Sequence, residues 1–341
     1  MNSPVGAQLG HRPFNRLMIA VAGGMGLTSL ARYAMRFAGP GATVRLVSIV
    51  GNPRVLFPTL PLSYSGWHDA HVELIRVSEA ALAEAKREIE GPSLAPETEL
   101  LDLSIHGSHI AQALSEAAQH WDATLVAIAA HPRATARGWG DHLDPEDVAA
   151  MIRVPVLYVP SARLESGVLE TSRVLVAVDG SETALQALCA ALAALPQVAL
   201  WRVVYVVDSV LHVPGWPGDI LSRNGTRALD RAADLLKAYG RTGGTALIDT
   251  SADARDIHAA IAFEADRWGA QLVVMGTRGR RTATRWLLGS VAERTLRSMS
   301  RPLLVCPPVD VSARGAKQAA GSGMETARGV GPEETEPPIL P

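Results

Sequence analysis

Ile257-His-Ala-Ala-Ile-Ala-Phe-Glu-Ala-Asp-Arg-Trp268 runs, two residues later, into Gln271-Leu-Val-Val-Met275. Ile257, Ala260, Ile261, Ala265 and Trp268 recur at i, i+3, i+4 spacing, the stripe by which a helix covers a sheet. Gln271–Met275 is apolar without alternation, as in a strand buried on both faces. A helix leading straight into such a strand is half of a βαβ unit, so the sheet is read as mostly parallel with helices on each side.

The same text occurs earlier. At an offset of 147 residues, Ile110-Ala-Gln-Ala-Leu114 faces Ile257-His-Ala-Ala-Ile261, and Trp121 faces Trp268. Leu125-Val-Ala-Ile128 then faces Leu272-Val-Val-Met275, Asp102 faces Asp249, and Val154-Pro-Val-Leu-Tyr-Val-Pro160 faces Arg301-Pro-Leu-Leu-Val-Cys-Pro307. Leu17-Met-Ile-Ala-Val21 matches Val174-Leu-Val-Ala-Val178 at an offset of 157, which makes the first copy ten residues longer. The surplus is expected in the Pro-rich stretch Gly51 to Trp67. A repeat of this length is a duplicated domain. The expected fold is α/β: two tandem doubly wound domains, each a five-stranded mostly parallel sheet with helices on both faces. In the second copy the pattern predicts strands over Arg173–Val178, Leu200–Val207, Ala246–Asp249, Gln271–Met275 and Pro302–Cys306. It predicts helices over Thr183–Ala194, Arg227–Tyr239, Ala254–Trp268 and Val291–Ser298. The chain divides into a flexible N-terminus (1–14), a first repeat (15–160), a linker (161–170), a second repeat (171–308) and a disordered tail (309–341). The tail lacks aromatics and is rich in Gly, Ala, Glu and Pro, too little apolar area to order itself.

Composition narrows the function. Of 341 residues, 48% are hydrophobic and 19% charged, enough apolar material for packed cores. A net charge of −2 gives no global drive toward nucleic acid or an anionic membrane. The richest stretch, Ala184 to Trp201, is broken by Gln186, Pro196 and Gln197, short of a membrane span. Met1 to Phe14 has no signal-peptide pattern, so the protein is expected in the cytoplasm. Cys189 and Cys306 lie in apolar runs without metal spacing and read as buried small hydrophobes.

In doubly wound sheets ligands bind beyond the carboxyl ends of the strands. After the fourth strand of the second copy comes Gly276-Thr-Arg278-Gly279, then nine residues, then Gly289-Ser290. Glycines permit close backbone approach, and Gly289-Ser290 opens a helix whose free amides and positive dipole end suit phosphate oxygens. Ser290-Val-Ala-Glu293 has a capping-box pattern, and Arg278, Arg280, Arg281 and Arg285 surround the loop with positive charge. After the first strand, Asp179-Gly180-Ser181-Glu182 offers a carboxylate to a ribose hydroxyl or an adenine amino group.

These residues resemble the universal stress protein family. Gly276-x2-Gly279-x9-Gly289-Ser290 matches the nucleotide-binding pattern of its ATP-binding branch without a gap, and Val174-Leu-Val-Ala-Val-Asp179-Gly180-Ser181 is similar to its opening strand and loop. The resemblance covers residues 15–160 and 171–308. It implies that Asp179, with Ala177 and Val178, lies by the ribose and adenine, and that Val206 contacts the base. It further implies that Met275, Gly276, Arg278 and Gly279 wrap the sugar and phosphates, and that Gly289, Ser290, Val291 and Ala292 present amides and the Ser290 hydroxyl to the phosphates. Ala292 stands where some relatives carry a hydroxyl. The branch binds ATP, commonly with a divalent ion such as Mg or Mn, and some members slowly hydrolyse it or phosphorylate themselves. No general base is evident here, so a binding protein in a stress response is expected rather than an enzyme. The alternatives are a nucleotide-free interaction protein and a slow ATPase or self-phosphorylating enzyme. The implied partners are ATP, an unidentified protein, and the chain itself. The fifth strands, Val154–Val159 and Leu303–Cys306, read as sheet edges that pair within the chain as a pseudo-dimer or between chains.

The first copy lacks the pattern. Ala22 stands for Asp179, Ala129-Ala-His-Pro132 for Gly276-Thr-Arg-Gly279, and His142-Leu143 for Gly289-Ser290. Pro132 removes an amide donor, and Asp141, Asp144, Glu146 and Asp147 crowd the helix start with charge that repels phosphate. Asp144-Pro145 reads as a cap and first turn. Gly23-Gly-Met-Gly26 lacks the third glycine and the acidic residue of a dinucleotide site and reads as a tight turn. His68-x-x-His71 and His106-x-x-His109 bring no third ligand for a metal.

Overall fold

The computed structural model describes residues 14–22, 26–56, 63–106, 109–130, 144–167, 170–195, 200–207, 219–250, 256–277, 288–298 and 300–308. The N-terminal expectation (1–14, apart from Phe14) and the tail (309–341) lie outside them.

The first half runs β1 (Phe14–Ala22), α1 (Leu27–Ala34), β2 (Ala38–Val50), α2 (Pro53–Leu56), α3 (Tyr64–Ile89) and β3 (Glu97–Asp102). It continues with α4 (Leu103–His106), α5 (Ile110–His120), β4 (Leu125–Ala130), α6 (Pro145–Met151), β5 (Val156–Pro160) and α7 (Ser161–Glu165). The second half runs β6 (Arg173–Ala177), α8 (Glu182–Ala194), β7 (Leu200–Val207), α9 (Asp219–Ala238) and β8 (Gly243–Asp249). It closes with α10 (Ile257–Trp268), β9 (Leu272–Gly276), α11 (Ser290–Ser298) and β10 (Leu303–Cys306). The expected linker, 161–170, therefore contains a helix. The ten extra residues of the first copy do not sit only in the Pro-rich loop: α3 has 26 residues against 20 in α9.

Each half has the strand order of a doubly wound sheet, and the two are continuous: β3-β2-β1-β4-β5-β10-β9-β6-β7-β8. Among the described strands every pairing is parallel except β5 with β10, where Leu157 faces Leu304 and Tyr158 faces Leu303 in antiparallel register. The fifth strands are thus central rather than edges; β3 and β8 are the edges. Paired within the chain, both fifth strands are buried along their whole length. Buried residues of α1, α3, α8 and α9 pack on one face of the sheet, and those of α5, α6, α10 and α11 on the other, each layer spanning both halves.

The duplication extends to local chemistry. Arg16 donates to the Trp121 carbonyl (2.8 Å) and lies 4.4 Å from that ring's centre; Arg173, its counterpart, donates to the Trp268 carbonyl (2.9 Å) at 6.0 Å from the ring. Each Arg closes the C-terminal end of the helix before the fourth strand, where a cation also complements the helix dipole.

Candidate nucleotide site

Three short local rules build the loop after β6. Val178 prolongs the strand by donating to the Val204 carbonyl (2.9 Å). Asp179 Oδ1 accepts the Ser181 N–H (3.0 Å), and Gly180 takes φ +80°, a left-handed conformation that glycine adopts without strain. Ser181 then caps α8, its Oγ accepting the Ala184 N–H (3.2 Å).

β9 lies between β6 and β10, with Met275 opposite Ala177 and Gly276 opposite Cys306. A Cβ on Gly276 would stand 3.1 Å from the Thr183 methyl and 3.4 Å from the Ala184 nitrogen. Close packing of α8 on β9 therefore already explains this glycine. Buried Thr277 donates to the Cys306 carbonyl (2.9 Å) and accepts the Gly289 N–H (2.8 Å). That bond ties the start of α11 to the carboxyl end of β9, beside the Asp179 loop.

The Gly289 carbonyl accepts the Glu293 N–H (2.9 Å), so Gly289, not Ser290, holds the cap position, and the capping-box expectation fails. Glu293 turns instead to Arg297 (2.8 Å). As the first three residues of the helix, Ser290, Val291 and Ala292 have N–H groups without intrahelical acceptors. Ser290 is exposed, Val291 half-buried and Ala292 buried in the layer with Met275 and Val305. A hydroxyl at 292 would start from within that layer. Ala177, Met275 and the partly buried Val206 belong to the same face, whereas Val178 packs in the opposite layer and offers only its backbone here. Arg278 and Gly279 lie outside the described residues, as do Arg280, Arg281 and Arg285.

The corresponding corner of the first half is built differently. Ala22 ends β1, and Gly26, at φ +75°, caps α1. Leu164 of α7 comes within 3.5 Å of where a Gly26 Cβ would be, and Ser161 Oγ donates to the Ala130 carbonyl at the end of β4 (3.2 Å). Helix α7 thus packs against the carboxyl end of β4 and the start of α1. Asp144 caps α6 as expected, accepting the Glu146 N–H (3.0 Å). Residues 23–25 and 131–143, including Asp141, His142 and Leu143, lie outside the described residues.

Among the described residues no group of three or more His, Cys, Asp or Glu side chains is arranged to hold a metal. Both cysteines are free and buried, and burial pushes Cys189 up to about 11 and Cys306 to about 12, so neither is a nucleophile at neutral pH. His71 instead joins a contact that the sequence did not reveal. Its Nε2 lies 2.9 Å from Asp102 Oδ2 and 2.8 Å from Ser104 Oγ, while Ser104 Oγ lies 2.7 Å from Asp102 Oδ1. The network closes if Ser104 donates to Asp102 and Nε2–H donates to both neighbours. The serine proton is then committed to the carboxylate, which makes this a tie between α3 and the end of β3 rather than an activated nucleophile.

Burial works to raise the Asp102 pKa, but Ser104 and His71 together hold it below the ordinary 3.8. A depressed carboxylate pKa stabilises the fold above the unfolded value, and this is lost as pH falls through the folded one. Asp102→Asn is expected to cost about 1–3 kcal/mol at pH 7. In urea titrations, the gap to the parent protein should close as pH drops below the ordinary carboxylate range; a pH-independent gap would contradict the assignment.

The sequence pattern described as the universal stress protein family matches residues 170–307. A universal stress protein of Methanocaldococcus jannaschii is 29% identical over 157 residues, covering 43% of this chain and 89% of that protein. A crystal structure from the universal stress protein family of Burkholderia pseudomallei is 32% identical, covering 40% of this chain and 97% of that one, with a TM-score of 0.32. The crystal structure of a universal stress protein from Archaeoglobus fulgidus superposes on 89% of this chain and 99% of its own, with a TM-score of 0.56 at 17% identity; that match concerns the fold, across both halves. Among the described residues no helix is long and apolar enough to cross a membrane. The second half, residues 170–307, is therefore a domain of the universal stress protein family, and the fold seen in the Archaeoglobus protein extends across both halves.

Proposed function

We propose that the chain is a cytoplasmic stress-response protein that binds ATP in its second half and signals its occupancy to a protein partner, the first half serving as a structural copy without nucleotide. The observation that carries this reading is the convergence of two loops at the carboxyl ends of the adjacent strands β6 and β9. Asp179 stands on one, and on the other the start of α11 is tied to Thr277 with three amides lacking intrahelical acceptors. A carboxylate suits ribose or adenine donors, and a helix N-terminus suits phosphate. Bound Mg or Mn would ride on the phosphates and neutralise their charge. No residue here is assigned a catalytic role.

Calorimetric titration of the full chain with ATP and magnesium tests the reading. One site per chain is expected. Asp179→Ala should weaken ATP and adenosine alike, each about tenfold, the value of one lost hydrogen bond to a charged group. No heat from the parent protein would favour a nucleotide-free interaction protein. Release of ADP or labelling of the protein by γ-phosphate would instead favour a slow ATPase or self-phosphorylating enzyme.

A further inference from the structure

The two halves meet not only through β5 and β10 but also through α6 and α11. Arg297, near the end of α11, reaches across to Glu146 in the first turn of α6: Nη2 lies 2.5 Å from Oε2, and Nε donates to the other carboxylate oxygen. The same Nη2 donates to Glu293 of its own helix (2.8 Å). Glu146 is 15% exposed and Arg297 47%. A two-pronged guanidinium–carboxylate contact fixes orientation as well as distance.

The duplication makes this contact informative. At the repeat offset of 147, Glu146 is the counterpart of Glu293, and Ala150 is the counterpart of Arg297. The two glutamates are kept in both copies, but only the second copy supplies the arginine between them. Of the two symmetric braces the duplication permits, one exists, and it holds α11. Helix α11 is also held by Arg294, which pairs with Asp256, the cap of α10.

We propose that Glu146 is a positioning residue for the nucleotide site of the second half: by holding Arg297 it sets the direction of α11, and so where the amides of Ser290, Val291 and Ala292 meet the phosphates. This rests on the proposed ATP reading. It also gives the first half a role in binding without a ligand of its own. Arg297 is seven residues from Ser290, about 10 Å along the helix, roughly one screening length at physiological salt. Glu146 therefore acts through helix orientation more than through its charge. The sign of its effect separates the two, because removing a distant negative charge would by itself strengthen ATP binding.

The test uses the full chain with Glu146→Gln, Arg297→Gln and the double variant, titrated with ATP plus magnesium and with adenosine. Glu146→Gln is expected to weaken ATP about fivefold, the scale of one partly exposed ion pair, and to leave adenosine unchanged. Arg297→Gln should do the same, and the double variant should be no worse than either single one. Unchanged or tighter ATP binding in Glu146→Gln would overturn the proposal while leaving the site reading intact. An equal loss for ATP and adenosine would also overturn it, as general loosening of the fold. Absence of ATP binding in the parent chain would instead fail the site reading, and this proposal with it.

Discussion

Gly289→Val should abolish detectable ATP binding, a loss of at least about 100-fold, while the chain still folds. Gly289 sits at the cap of α11, with its N–H on Thr277 and its carbonyl receiving Glu293. Both bonds are made by backbone and survive the substitution. The added isopropyl group enters the space beside the first free amides, where a phosphate would approach them. Displacing an anion from such amides removes several hydrogen bonds to charge together, each about 1.5–3 kcal/mol. The check is calorimetry alongside circular dichroism. Unchanged affinity in a folded variant would remove the α11 start from the site.

Leu157→Ala combined with Leu304→Ala should lower the stability of the whole chain, not of one half. The two side chains face each other across the β5–β10 seam, and both are fully buried. Each truncation is expected to cost about 2–5 kcal/mol as transfer and cavity terms. The pair should cost less than the sum, because both line the same space. Since the sheet and both helical layers run through the seam, denaturant unfolding should remain a single transition shifted to lower concentration. Two separated transitions would show that the halves fold independently despite the shared sheet.

The periodicity of Ile257–Met275 and its earlier copy carried the architecture, because burial on two faces leaves parallel strands few alternatives. In the second half four of the five predicted strands agree within a residue at each end. The β8 prediction began three residues late, since Gly243 and Gly244 do not look like strand. A Cβ on Gly243 would strike the Trp201 carbonyl at 2.4 Å, a close approach visible only in three dimensions. Helix α9 begins eight residues before the predicted start, across Gly225, a poor helix former whose hydrogen leaves room for Leu247 and Tyr205. The fusion of two sheets into one was not legible either. Strand edges and strand centres share one apolar composition, and only pairing distinguishes them.

For the site, glycines were the ambiguous signal. Gly276 is explained by Thr183, Gly180 by its left-handed backbone, and Ser290 by neither packing nor capping. Leu164 covering the first-half corner and Arg297 crossing to Glu146 had no pattern in the sequence, because each joins segments with no periodic relation.

The most direct measurement denatures the freshly purified chain and separates the released small molecules by ion-exchange chromatography. About one ATP or ADP per chain is expected, with none recovered from Gly289→Val. Two per chain would contradict an empty first half, where α7 packs against the carboxyl end of β4. None, followed by no heat on titration with ATP and magnesium, would contradict the nucleotide site itself.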